Sequence, residues 1–103
     1  MNRETRKQIT QLTNDFNEAL NHLEKAKDMI ESVKDDFESI KDEEQDKYDN
    51  MPEGLQQSEK GENLQNAIDN LEYFIDDLNT AFDTLDDAYD ELTSLDTSDV
   101  ESL

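Results

Sequence analysis

A seven-residue repeat runs from Leu64 to Leu95 and constrains the fold more than any other feature of this chain. Leucine recurs at every seventh residue, and an isoleucine or aromatic residue follows each of the first four leucines four positions later. This alternation of 3 and 4 places the apolar residues on one stripe of an α-helix, and the constant period of seven keeps the stripe against a partner helix. An earlier segment has the same spacing, so we predict two helices paired along apolar seams. The seam of the first segment comprises Ile9, Leu12, Phe16, Ala19, Leu23, Ala26, Ile30, Val33, Phe37 and Ile40.

Residues 49–61 separate the two repeats and contain the only proline of the chain and both glycines. Pro52 restricts the residue before it, Gly54 permits a turn, and Ser58 can cap the helix that follows. We therefore predict an all-α fold, an antiparallel two-helix coiled-coil hairpin that forms a single domain over residues 1–103. Its parts are a first helix over about residues 4–48, a turn over 49–61, a second helix over 62–95 and a frayed acidic tail over 96–103.

The second helix carries more apolar surface than one neighbouring helix can cover. Beside its leucine column runs a further column, made of Ala67, Phe74, Ala81 and Ala88. We predict that this excess pairs two hairpins into a dimeric four-helix bundle, or that it binds a foreign partner. The predicted partner strip comprises Tyr73, Phe74, Leu71, Leu78, Phe82 and Leu85.

The chain has a net charge of −20, which is distributed unevenly. Residues 1–60 hold 16 acidic and all 9 basic side chains, whereas residues 61–103 hold 13 acidic side chains and no Lys or Arg. Nine carboxylates of the second helix span about 33 Å of its axis, or one per about 3.7 Å, and one strand of B-DNA carries a phosphate about every 3.4 Å. We call these nine residues the acidic wall: Asp69, Glu72, Asp76, Asp77, Asp83, Asp86, Asp87, Asp90 and Glu91.

The acidic wall admits two hypotheses. In the first, its carboxylates replace phosphates in a basic cleft, so that the chain mimics a nucleic acid and blocks a DNA- or RNA-binding protein. In the second, the acidic faces only keep a helical interaction rod soluble, and a partner binds the apolar strip of the second helix. Under both, the negative charge disfavours direct binding to nucleic acid or to an anionic membrane and favours basic protein surfaces.

The sequence contains no catalytic pattern: it lacks a Gly-rich phosphate loop, an H-E-x-x-H motif and cysteine. The single histidine, His22, flanks an apolar seam without a catalytic partner, so we expect it to be packed or at the surface. Acidic residues from Asp42 to Glu53 match several positions of a calcium-binding loop, but Lys47 stands where the sharp turn requires Gly. We therefore expect a binding protein, not an enzyme, with no cofactor and no metal site.

The predicted turn contains a mixed polar and apolar knuckle, which either caps the seam or forms a recognition tip. The residues of the possible tip are Tyr48, Asn50, Met51 and Leu55. No stretch of the sequence is apolar enough for a membrane span or a signal peptide, and no cysteine can form a disulfide, which favours a cytoplasmic location.

Residues 42–62 read DEEQDKYDNMPEGLQQSEKGE, and NAIDNLEYFIDDLNTAFDTL follows from Asn66. This stretch resembles small acidic proteins of bacteriophage and prophage genomes, in which D-E-E-Q, D-N-M-P-E and S-E-K-G-E motifs link two amphipathic helices. The resemblance covers about the last sixty residues and implies a phage origin and a helical hairpin. Phages commonly carry small acidic inhibitors of restriction, CRISPR and other host defences. The resemblance thus favours inhibition of a host defence or nucleic-acid-binding protein in the cytoplasm of the infected or lysogenic bacterium.

Overall fold

The structure, a computed structural model, describes residues 2–101, apart from the side chains of Asp99 and Glu101. The described residues form four helices and no strand, which confirms the predicted all-α class. The two long helices begin and end within three residues of the predicted bounds. No helix in the described part is both long and apolar enough to cross a bilayer. The helices are α1 (Arg3–Asp49), α2 (Glu53–Gln56), α3 (Glu59–Thr93) and α4 (Ser98–Glu101).

The chain divides into two compact units, and unit 2 comprises residues 30–82. Within it, the ring of Phe37 packs edge-on against Phe74, with the centroids 5.0 Å apart, and Lys34 Nζ lies 6.0 Å from the centroid of Phe82. A later residue of α1 thus meets an earlier residue of α3, so the two helices are antiparallel in this unit. Its core holds two buried aliphatic side chains, Ile68 and Ile75, which are 2% and 4% exposed.

Unit 1 comprises residues 1–29 and 83–103. Here Lys27 forms an ion pair with Asp86, and the Tyr89 hydroxyl donates a hydrogen bond to Glu24 Oε2 at 3.2 Å. These pairs again show α1 and α3 running antiparallel. The apolar residues of this seam are half-buried, and the one buried side chain among its described residues is Thr13. Polar contacts therefore join the two helices of unit 1 to a greater extent than in unit 2.

The structure contradicts the predicted α1 seam at four of its ten residues, which are exposed: Leu12, Ala19, Val33 and Ile40. In unit 2, Ile30 and Phe37 are half-buried as predicted, but Val33 and Ile40 are each 46% exposed. The side chains that take their places come one residue later: Lys34 and Lys41 are half-buried. In unit 1 the same shift leaves Leu12 65% exposed and Ala19 exposed, while Thr13 is buried and Leu20 is half-buried.

Lysine contacts favour packing of α3 against this flank of α1. Both flanking columns lie three or four residues from the shared column of Phe16 and Phe37, so the heptad spacing fits either. The α3 sequence from Gly61 onward has no base of its own, and this flank of α1 carries a column of lysines, Lys27, Lys34 and Lys41. Lys27 Nζ lies 4.3 Å from the Tyr89 ring centroid as well as beside Asp86. A lysine can cover an apolar surface with its aliphatic stem while its ammonium group meets a ring face or a carboxylate.

The connection between α1 and α3 does not use Gly54 as predicted. No described residue has a positive φ, and Gly54 lies in α2 with open space around it. The glycine that the fold requires is Gly61, because a Cβ there would collide with the backbone carbonyl oxygens of Leu55 and Gln56. The predicted capping role of Ser58 is confirmed, since its Oγ accepts a 3.4 Å hydrogen bond from the Gly61 N–H at the start of α3.

Part of the tail is helical instead of frayed, because residues 98–101 form α4. Asp96 Oδ1 accepts hydrogen bonds from the Ser98 N–H, at 2.9 Å, and from the Ser98 hydroxyl. Thr97 and Val100 line a cavity of about 170 Å³ together with residues of the α1 N-terminal half. The last two residues of the predicted tail lie outside the described residues.

Candidate binding surfaces

The acidic wall follows from the heptad repeat of α3. Each aspartate of its main column comes one residue after a seam residue, as Asp69 follows Ile68 and Asp76 follows Ile75. A step of one residue turns an α-helix by roughly 100°, which moves the carboxylate out of the seam toward solvent. The wall is therefore built by the same period that builds the core, and each unit contains a part of it.

In unit 2 the wall has four members, of which three are exposed: Glu72, Asp76 and Asp77. The fourth, Asp69, is half-buried, and its Oδ1 accepts a 2.9 Å hydrogen bond from Gln65 Nε2. None of the four is in an ion pair within the described residues. This part of the wall consequently presents carboxylates to solvent that have no ion pair in the described part of the chain.

In unit 1 the wall has five members, and one of them is neutralised. Asp86 pairs with the largely buried Lys27, which comes from α1. The other four are exposed, and none of them forms an ion pair within the part of the chain that the structure describes. These four residues are Asp83, Asp87, Asp90 and Glu91.

Two side chains of unit 1 have raised pKa values because of contacts between α1 and α3. The hydrogen bond to Asp86 raises the pKa of the Lys27 ammonium above its ordinary 10.5, against the opposing effect of burial. Burial raises the pKa of Tyr89 above its ordinary 10.0, and the Glu24 carboxylate adds to this rise. Both groups are therefore held in their protonated forms, as a cation and as a neutral hydrogen-bond donor.

The six residues of the predicted partner strip do not all face the same surroundings. Leu71, Leu78, Phe82 and Leu85 are half-buried in the α3 seam. Tyr73 and Phe74 are exposed, at 67% and 47%. Only these last two present a large part of their surface to a partner.

The residues of the possible recognition tip divide in a similar way. Tyr48 and Met51 are half-buried, and the carbonyl oxygen of Tyr48 accepts hydrogen bonds from Gln56 Nε2 at 2.8 Å and from the Met51 N–H at 3.0 Å. Asn50 and Leu55 are exposed. The backbone of Tyr48 and Met51 thus takes part in the connection between α1 and α2, and Asn50 and Leu55 present more of their surface to solvent.

The single histidine and the acidic residues of the calcium-loop-like stretch up to Asp49 lie on α1. His22 is exposed, with Nε2 3.7 Å from Glu18 Oε1 one helical turn away. Residues 42–49 belong to α1, so their carboxylates do not form a calcium-binding loop. No group of three or more His, Cys, Asp or Glu side chains converges on a metal-sized site within the described residues.

Sequence reasoning missed the lysine column of α1 and the apolar residues that it leaves exposed. The available signal was the seven-residue spacing of Lys27, Lys34 and Lys41. Because the second helix has no Lys or Arg beyond Lys60, this column of lysines indicates which flank of α1 faces α3. It also predicts that Val33 and Ile40 lie outside the seam.

Comparison with known proteins adds no assignment. A scan against protein-family models finds no match, and searches of curated proteins and of solved structures find none either.

Proposed function

We propose that this chain is a non-catalytic binding protein whose acidic wall occupies a basic, nucleic-acid-binding surface of another protein. The observation that carries the proposal is that eight of the nine carboxylates of the wall have no ion-pair partner within the described residues. Seven of the nine are also exposed, so they are available to a cationic partner.

The physical mechanism is replacement of phosphates by carboxylates. A cleft that binds DNA or RNA gains affinity from Lys and Arg side chains that neutralise phosphates, with release of condensed ions. A helix with one carboxylate per about 3.7 Å offers a comparable line of charge to the same cations. Electrostatic steering speeds the encounter, and added salt weakens the complex.

The resemblance to small acidic phage proteins supports a particular class of target. Phage-encoded inhibitors act on restriction enzymes, CRISPR effectors and other host proteins that bind nucleic acids. We therefore propose a host nucleic-acid-binding or defence protein as the target, with the encounter in the bacterial cytoplasm.

A charge-reversal experiment tests this function. Wild-type chain should capture its target from a bacterial lysate at low salt and release it at high salt, and it should displace DNA or RNA from the purified target. The triple variant Asp76→Lys, Asp83→Lys, Asp90→Lys should lose both properties.

The chain offers a matched control for that variant on α1. Asp28, Asp35 and Asp42 are exposed and have the same seven-residue spacing, so their triple change to Lys alters net charge equally. The control should retain at least partial displacement. Displacement that survives the α3 triple change at wild-type strength would contradict the mimicry proposal.

A second candidate function rests on the exposure of Phe74 and Tyr73. In this candidate the chain is an interaction or scaffold protein, and an apolar partner surface covers these two rings. Pairing of two hairpins into a dimeric four-helix bundle is one form of it. The candidate predicts that Phe74→Ser or Tyr73→Ser weakens binding more than the charge reversals do, with little dependence on salt.

A further inference from the structure

Unit 2 has an open apolar groove to which α1 and α3 both contribute. A cavity of about 540 Å³ is lined by Phe37 from α1 and by Ala67, Asn70, Leu71 and Phe74 from α3. Ala67 and Phe74 are exposed, and Phe37 and Leu71 form the half-buried floor. A groove of this size accepts large aliphatic side chains, and only one of its five lining residues is polar.

The groove continues along α1 through residues that the sequence assigns to the seam. Val33 precedes Phe37 by four residues and Ile40 follows it by three, so all three lie on neighbouring turns of one helix. Val33 and Ile40 are each 46% exposed. Because Lys34 and Lys41 take the inward positions, these two side chains extend the apolar surface beyond the cavity itself.

Exposed acidic residues flank the solvent side of this surface, whereas the lysines nearest to it, Lys34 and Lys41, are half-buried on the flank that faces α3. Three acidic residues lie three positions after an apolar residue of this surface, which places them one turn away on the same side of their helices. They are Asp36 after Val33, Glu43 after Ile40 and Asp77 after Phe74. All three carboxylates are exposed. No Lys or Arg occupies a position three or four residues from the exposed groove residues Val33, Ile40, Ala67 and Phe74; Lys34 and Lys41 have this spacing only from the half-buried Phe37. The groove therefore combines an apolar floor with an anionic rim.

We propose that this groove, defined by Val33, Phe37, Ile40, Ala67, Leu71 and Phe74, binds a basic amphipathic helix. The apolar stripe of such a helix would lie on the floor, and its Lys or Arg side chains would meet Asp36, Glu43 and Asp77. A second copy of this chain fits less well, because it brings the same carboxylate rim and a further charge of −20. The inference deepens the second candidate function by naming its partner class.

A peptide-binding experiment tests this groove. The probe is a fluorescein-labelled peptide of Leu and Lys in which the leucines follow an i, i+3, i+4, i+7 spacing, and the control is a peptide of equal composition whose leucines do not share a face. Fluorescence anisotropy at physiological salt should show binding of the amphipathic peptide that is about ten-fold tighter than that of the scrambled one.

Two variants locate the binding in the groove. Ile40→Ser removes an exposed apolar contact, and Ala67→Gln fills the cavity without changing charge; each should weaken the amphipathic peptide by about ten-fold at unchanged helicity. Leu95→Ser changes a residue of similar exposure in unit 1 and should leave the affinity unaltered.

Three results would overturn the inference. Equal binding of the scrambled peptide would show that charge alone attracts it, and absence of binding would remove the site. Light scattering that gives twice the 12.0 kDa chain mass, reduced to one chain by Ile40→Ser, would assign the groove to a second copy. The α3 charge-reversal variant separates the two proposals, because it should lose nucleic-acid displacement while it keeps tighter binding of the amphipathic peptide than of the scrambled one.

Discussion

Units 1 and 2 use the same two helices and the same heptad repeat, but they differ in how deeply apolar side chains are buried between the helices and in the polar contacts that join them. Unit 2 has two buried isoleucines and an edge-on pair of phenylalanine rings. Unit 1 has no buried apolar side chain among its described residues, and a lysine–aspartate ion pair and a tyrosine–glutamate hydrogen bond join its helices.

A regular apolar repeat therefore does not guarantee an evenly apolar interface. Burial of aliphatic side chains contributes free energy that salt hardly changes, whereas partly exposed ion pairs contribute little and are screened. We therefore expect unit 2 to be the more stable unit and unit 1 to open first, in a manner that depends on salt and pH.

The largest effect should come from removing a buried isoleucine of unit 2. Ile75→Ala leaves a cavity at a position that is 4% exposed and should lower the free energy of unfolding by about 2–5 kcal/mol. Urea denaturation followed by circular dichroism measures this loss. Leu12→Ala in unit 1, at a side chain that is 65% exposed, should change the same quantity by no more than about 0.5 kcal/mol. Equal losses for the two variants would contradict the comparison.

A smaller loss of stability should come from a substitution at Gly61, where the connection between α1 and α3 meets α3. Gly61→Ala places a Cβ against two backbone carbonyl oxygens and should cost about 1–3 kcal/mol, since the backbone must shift. Gly54→Ala is the matched control: it meets open space within a helical turn and should be neutral or slightly stabilising. Thermal unfolding of both variants measures the difference, and a loss at Gly54 as large as at Gly61 would show that the connection is built differently.

The smallest effect should appear in unit 1 at alkaline pH. The pKa values of Lys27 and Tyr89 are both raised in the folded chain, so their contributions are complete below about pH 10 and disappear as pH rises through the folded values. Tyrosinate absorbance and side-chain NMR signals should show unit 1 loosening while Ile68 and Ile75 retain their native environment. Tyr89→Phe keeps the ring under Lys27 and removes the hydroxyl, so its alkaline loss should be smaller. An alkaline transition that begins in unit 2 would contradict this order.

The sequence predicts the helices and the α3 seam well, because those depend on local periodicity. The prediction fails for exposed α1 residues such as Val33. Val33 and Lys34 both lie three or four residues from Ile30 and Phe37, so the heptad spacing allows either of them to face α3. The composition of the other helix decides between them: α3 beyond Lys60 has no base, so the lysines of α1 face it. A pattern within one helix contains no information about this requirement.

The glycines show the same limit at the connection. The local sequence of Pro52 and Gly54 predicts a turn that needs the glycine. In the structure the space around Gly54 is open, so a larger side chain would fit there. Gly61 lies at the start of a helix, where a glycine has no local reason to be, and its role comes from the nearby carbonyl oxygens of the preceding segment. Close approach of two backbone segments is a tertiary property, and sequence spacing does not predict it.

For the candidate sites, sequence alone predicts the positions of the acidic wall but not the neutralisation of Asp86, which requires the contact with Lys27. It predicts surplus apolar surface on the second helix, and in the structure Phe74 is 47% exposed. It misses the contribution of α1, because the spacing predicts Val33 and Ile40 to lie in the seam. The docking groove follows only once both helices are placed side by side.

Cysteine accessibility tests most directly which flank of α1 faces α3. The native chain contains no cysteine, so single variants at neighbouring positions report each flank without background. We predict that a maleimide reagent modifies Val33→Cys and Ile40→Cys several-fold faster than Lys34→Cys and Lys41→Cys, at a concentration where light scattering gives a mass of 12.0 kDa. Faster modification at positions 34 and 41 would place the apolar column in the seam, and it would contradict both the lysine-lined interface and the groove that depends on it.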